Sequence, residues 1–553
     1  MDPGRPALSP RSGRRPARAA LAWAAVVVVP VAFLAVFFAY PVASIIGRGL
    51  ADGAALDVVR RRSTGRLLWF TFWQAAASTL LTLAVGLPAA WAVARVDLPG
   101  RRLLRALLVV PFVLPTLVVG AALQGVFDRF GVGREATGLR LQGTVGAILL
   151  AHLVLNVAVV VRVVGGYWAL LDPRTEEAAR VLGAGRWRVW REVLAPRLAP
   201  ALWSAAGIVF LFCFTSFGII LTVGGPGHPT LETEIWRAAT QRTDLTTAAA
   251  LALVQLLAVA ALVLAVSALE ARAGAGLPAR RPVPPQRPRR ARAWLAVAGA
   301  LGPALVLVVV PLAVLVERSL WVGDGHGLDN YRALGSGRAS GLFVSPWEAV
   351  GNSLRAAGLA MAIAVVVGGL AAVVVARAGG RGRALDLAVM VPLGTSAVTL
   401  GFGILIALDS PPLDLRTSPA IVPIAQALVG IPFVVRSLVP ALRAVDPRQR
   451  EAAAVLGAGP VRARLEVDVA LAVRPLLVGA AFAFAIALGE FGATSFLARP
   501  DAPTVPVAMF RLLGRPGAAL RGQAMALGTI LAVLTALSVL VIERLRPRDA
   551  LGW

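Results

Sequence analysis

Apolar stretches of about twenty residues alternate with short, arginine-bearing polar segments along the whole chain. An α-helix needs about 20 residues to cross the hydrocarbon core of a bilayer. On that measure the pattern predicts spans at about 20–44, 67–94, 103–125, 143–170, 201–223, 246–269, 294–316, 353–376, 385–408, 419–441, 475–497 and 523–542. About twelve helices in two sets of six make an all-α, polytopic transmembrane protein. The basic start (Arg11, Arg14, Arg15, Arg18) has the charge of a signal peptide. Its apolar run from Ala19 to about Ile46 is too long for an h-region, so the expectation is an uncleaved first helix.

Composition agrees with a multi-pass membrane protein: 553 residues, 58% hydrophobic, 15% charged, mean hydropathy +0.76. The net charge of +26 would point to a polyanionic partner in a soluble protein. Here topology accounts for it, and no nucleic acid is called for. All 55 basic residues are arginine, and with a cytoplasmic N-terminus the inner segments sum to about +20 and the outer ones to about +4. Arg60, Arg61, Arg62 and Arg66 run against that trend on the outer side. This predicts a multi-pass cell-membrane (inner-membrane) protein with both termini cytoplasmic. The segment 271–292 carries arginines and prolines but no acid, which predicts a stiff cytoplasmic linker between a first module, 1–270, and a second, 293–553. A single cysteine, Cys213, excludes an internal disulfide and any multi-cysteine metal site.

The halves repeat each other. Asp172-Pro173 recurs as Asp446-Pro447, Leu182-Gly-Ala-Gly185 as Leu456-Gly-Ala-Gly459, and Arg162 as Arg436. At the same offset Phe217-Gly218 matches Phe491-Gly492, Pro229-Thr230 matches Pro503-Thr504, and Arg237 matches Arg511. After a short shift upstream, Ala94-Arg95 and Val110-Pro111 find counterparts in Ala376-Arg377 and Val391-Pro392. Matched segments fall on the same predicted side, so the repeat is parallel, with a pseudo-twofold axis along the membrane normal and a pathway between the halves.

Two cytoplasmic loops, 172–200 and 446–475, carry the most informative pattern. Asp172 and Asp446 read as N-caps, with Pro173 and Pro447 at the first helical position. Glu177-Ala178-Ala179 and Glu451-Ala452-Ala453 then give a short helix with a small-residue face, and Gly183 and Gly457 turn the chain. Glu-Ala-Ala, three residues, Gly, nine residues and a short apolar segment ending in Pro resembles the EAA loop of ABC importer permeases. The first copy runs through Val193 to Pro196; the second runs through Val467 but has Ala470 where proline is expected. Trp69–Leu81, Leu141–Asn156 and Cys213–Arg237 are similar to fused thiamine permeases, and Ala487–Leu497 with Pro503–Arg511 to thiamine and ferric-iron permeases.

The resemblance implies two MetI-like permease modules of a type I ABC importer. Its loops would form coupling helices on a separate ATP-hydrolysing subunit, expected as a homodimer. An extracellular or periplasmic binding protein would deliver thiamine, ferric iron or another small solute such as an oxyanion. The chain has no lysine for a P-loop, so ATP and magnesium belong to the partner, and no cofactor is expected here.

Charges inside spans are functional candidates. Glu490 aligns with Ser216 and is read as meeting a cationic solute, pairing with an arginine, or sitting near the outer end of its helix. Arg162 and Arg436 lie about 15 Å along a helix from the Asp-Pro caps, reading as snorkelling side chains or as an inner gate. His152 and Asn156 share a helix face, read first as interhelical hydrogen bonding and otherwise as solute or metal contact. Pro111, Pro115 and Pro392 are expected to bend the third and ninth helices. His228 and His326 lack ligand spacing, and no metal site is predicted. The rivals are a secondary transporter with two parallel six-helix repeats, for which the duplicated loop has no role, and a membrane-embedded enzyme, for which no nucleophile–base pair is present.

Overall fold

A computed structural model describes residues 15–100, 113–131, 141–272, 283–335, 343–409, 413–459 and 464–545, with isolated positions 104, 107, 108, 411 and 462. Among these, ten helices from Ala24–Leu50 to Ala518–Leu545 are long and apolar enough to cross a bilayer. The helical form follows from the solvent: hydrocarbon offers the backbone no partner, so each segment satisfies its own N–H and C=O groups.

Several predicted spans take a different form among the described residues, and the 103–125 run lies partly outside them. The 385–408 run is a bent pair, Gly382–Gly394 and Ala397–Ala407, turned by 101°. Pro392 stands two residues before the first helix ends, and the Ser396 hydroxyl accepts from the Val398 and Thr399 N–H groups to start the second. In the 103–125 run, the described helix is Thr116–Arg129, whose 14 residues reach only about 21 Å. It begins directly after Pro115; Pro111 lies outside the described residues. The 201–223 and 475–497 runs also stop early, at Phe214 and Gly489, and continue as irregular chain with short turns at Ile220–Gly224 and Thr494–Leu497.

Each half has the same internal adjacency. Arg62–Arg95 packs on Val145–Trp168 and Ala195–Phe214; Pro346–Arg377 packs on Ile421–Arg443 and Ala470–Gly489. Small residues permit this closeness, since lipid supplies little apolar driving force between helices. A Cβ on Gly86 would press into Val160, and one on its repeat-mate Gly368 into Val434, itself the mate of Val160. The first helices cross over: Arg15–Leu34 leans on Pro346–Arg377 of the second half, and Ala291–Leu320 on Arg62–Arg95 and Thr116–Arg129 of the first. Ala397–Ala407 returns the contact by packing on Tyr40–Leu50.

Candidate coupling loops and the interface between the halves

The two loops fold alike. Asp172 and Asp446 each accept, through the side chain, from the N–H two residues on, at 3.0 and 2.9 Å. The second helix, Pro447–Val455, starts on Pro447; the first, Arg174–Val181, starts one residue later than expected, with Pro173 at the cap. At the other end Gly183 N–H bonds to Arg180 O and Ala184 N–H to Ala179 O; Gly457 to Ala454 O and Ala458 to Ala453 O repeat this. These are Schellman caps, with glycine at φ +85° and +87°, where a side chain is strained. Glu177, Ala178, Glu451 and Ala452 face solvent, while Ala179 and Ala453 are half-buried. Both loops re-enter the bundle through a π turn, Trp190–Leu194 and Arg464–Val469, so Ala470 in place of proline leaves the route unchanged.

Val181, Leu182, Val455 and Leu456 are each 87% exposed. Four large apolar side chains held out by two capped turns form a pair of knobs suited to a complementary groove. The repeated Val-Leu-Gly-Ala-Gly carried that signal, because apolar residues at the end of a polar loop helix have no intramolecular use.

Each loop is tied to the second long helix of its half. Arg95 pairs with Glu176 at 3.1 Å; its counterpart Arg377 pairs with Asp468 at 2.5 Å, and Asp468 also takes Arg450 at 2.7 Å. Sequence matching found the arginines but not their partners.

The expected pathway residues lie in different settings. His152 Nδ1 and Ser78 Oγ are 2.9 Å apart, and Asn156 Nδ2 donates to His152 O and to Cys213 Sγ. Gln74 Nε2 donates to Cys213 O, so this network binds three helices of the first half. At the matching positions the second half has Ala356, Ala360, Gln426, Gly430 and Ala487. Arg436 is exposed, its Nε 3.2 Å from Met390 Sδ; Arg162 is half-buried. Glu490 is buried just past the end of its helix, with its carboxylate accepting from Ala493 N–H (2.7 Å), Thr494 N–H (3.0 Å) and the Thr494 hydroxyl. That geometry caps the Thr494–Leu497 turn. Ser216 is buried at the corresponding break after Phe214.

A second buried carboxylate, Glu232, was not legible in the polar segment Leu231-Glu-Thr-Glu. It accepts from Gln255 Nε2 and, across the two halves, from Ser396 Oγ at 2.6 Å. Next to it the repeat closes on itself. Phe217 and its mate Phe491 stack, with centroids 5.3 Å apart and planes 19° apart. Trp236 and its mate Phe510 complete a ring: Phe217–Trp236 6.1 Å, Trp236–Phe510 5.7 Å, Phe491–Phe510 5.4 Å.

Comparison with known proteins gives a matching picture. A family model described as binding-protein-dependent transport system inner membrane component matches residues 82–274. The chain is similar to the thiamine transport system permease protein ThiP of Brucella abortus, 29% identical over 513 residues that cover 89% of this chain and 90% of the relative. ThiP of Salmonella typhimurium is 28% identical over 517 residues, covering 90% and 92%. The sulfate transport system permease protein CysT of Escherichia coli is 32% identical over 211 residues, 37% of this chain and 76% of that protein.

Proposed function

Since the chain belongs to the family of binding-protein-dependent transport system inner membrane components, we propose that it carries thiamine inward through the interface of its two halves. It is the permease subunit of an ABC importer and a multi-pass membrane protein. ATP is hydrolysed on a separate subunit, a homodimer whose two grooves receive the two loops. A binding protein delivers the solute on the opposite face. Both termini and the 271–292 linker lie on the cytoplasmic side with the coupling loops, dividing the chain into the modules 1–270 and 293–553. Glu177, Ala178, Ala179 and Gly183, with Glu451, Ala452, Ala453 and Gly457, are the ATPase-coupling residues. Glu490, Ser216, Arg162, Arg436, His152 and Asn156 are the first positions to substitute along the pathway.

The observation that carries this reading is the pair of Schellman-capped loop helices holding Val181-Leu182 and Val455-Leu456 in solvent. Two equivalent knobs on one chain match two equivalent grooves on a symmetric partner. Thiamine is preferred over ferric iron or an oxyanion because the relatives similar through both halves, over 89–90% of this chain, include thiamine permeases.

The test is ATP hydrolysis by the chain assembled with its ATPase subunit and binding protein. Thiamine-loaded binding protein is expected to stimulate hydrolysis above the unloaded level. Stimulation by a sulfate-loaded or iron-loaded protein alone would replace thiamine with that solute.

A further inference from the structure

Phe217, Trp236, Phe491 and Phe510 form a closed circuit in which each ring touches two others, and each half contributes two rings at matched positions. The circuit straddles the internal twofold, where any route between the halves must run. Phe217 and Phe491 are buried, 6% and 4% exposed, and Trp236 and Phe510 are half-buried. The helices Ala195–Phe214 and Ala470–Gly489 lead from the coupling loops to it; 20 residues each put it about 30 Å from the loops.

The elements holding the rings are short and separate from the long spans. Phe217 and Phe491 stand in the breaks after Phe214 and Gly489 rather than within a helix. Trp236 and Phe510 ride on short helices, Leu231–Thr240 and Val505–Leu513. Each short helix is pinned at its first residue by one hydroxyl from the second long helix of its half. Thr71 Oγ1 accepts from Leu231 N–H at 3.1 Å, and Ser353 Oγ from Val505 N–H at 2.8 Å. The Glu232–Ser396 bond adds a clamp from the first short helix to the other half.

We infer that these four rings are the seal of the inter-half pathway at the end remote from the coupling loops, and that the two short helices are arms that part it. A dry aromatic constriction stops hydrated ions as well as solute, so a seal has a signature that a purely structural core lacks. This inference rests on the permease reading but not on the identity of the solute.

The experiment uses the full chain with its ATPase subunit in liposomes holding potassium and thiamine, without ATP. Wild type retains both. F217A/F491A, and separately W236A/F510A, is expected to release potassium roughly tenfold faster or more, as when a dewetted constriction is opened. F217L/F491L, which keeps a large apolar side chain at both positions, restores most of the retention, and F127A, which cuts a more deeply buried ring from a separate apolar cluster, stays tight. Alanine variants that assemble with the ATPase and hold potassium like wild type would overturn the inference, as would equal leakage through F127A. Potassium release with or without thiamine release supports the seal, since potassium is much the smaller of the two.

Discussion

Glu176 and Arg450 occupy the same place in the two repeats and carry opposite charge. Glu176 pairs with Arg95; Arg450 pairs with Asp468, which also holds Arg377, the mate of Arg95. Asp468 in turn stands where the first half has Leu194. The helix-end arginine has kept an acidic partner, while the acid has moved from the loop helix to the π turn behind it. The tie between loop and span is thus common to both halves, and its chemistry is not.

That relationship predicts a rescue. Glu176→Arg sets two cations together with side chains only 14–16% exposed in the native pair, at a cost near the lower end of about 3–5 kcal/mol. ATP-coupled uptake is expected to collapse. Adding Leu194→Asp rebuilds the second-half arrangement and should recover most of it. Uptake that E176R leaves untouched, or that L194D fails to restore, would mean the tie does not position the loop.

Gly183 and Gly457 sit at φ +85° and +87°. Valine at either costs about 1–2 kcal/mol of left-handed strain and twists the Val-Leu knob beside it. The sites lie on separate loops, so the effects on stimulated ATP hydrolysis should add. Loss with G183V/G457V well beyond either single change is expected; a wild-type rate in the double variant counts against two coupled loops.

Serine at Val181 and Leu182, or at Val455 and Leu456, removes exposed apolar surface only. Permease stability should stay within about 0.5 kcal/mol of wild type, while co-purification with the ATPase subunit falls for either pair and disappears for all four. A parallel loss of thermal stability would place these side chains in the fold instead.

Glu490→Gln keeps one acceptor for three donors, and Glu232→Ala leaves Gln255 and Ser396 unanswered. An orphaned buried donor costs about 1–3 kcal/mol. Both variants are expected to melt earlier in detergent, E232A by more, with the solute concentration for half-maximal uptake unchanged for E490Q. A raised half-saturation in E490Q at wild-type melting would make Glu490 a solute contact.

What the sequence disclosed was local. Asp-Pro caps, Glu-Ala-Ala and a turn glycine act within a dozen residues, and two copies at a fixed offset removed chance. The 101° turn at Thr395-Ser396 was hidden because hydropathy measures length and not direction, and two hydroxyl residues scarcely alter a window average. Glu232 reads as a loop residue until the other half covers it. The aromatic circuit depends on pairs 274 positions apart, so periodicity was blind to it, although the Phe217-Gly218 and Phe491-Gly492 match had marked two of its members.

The most direct measurement is thiamine uptake into vesicles holding the chain, its ATPase subunit and the binding protein, with ATP and ion gradients supplied separately. Accumulation is expected to follow ATP, to need the binding protein and to ignore proton and sodium gradients. Accumulation by the chain alone, driven by an ion gradient and indifferent to ATP, would make the chain a secondary transporter instead.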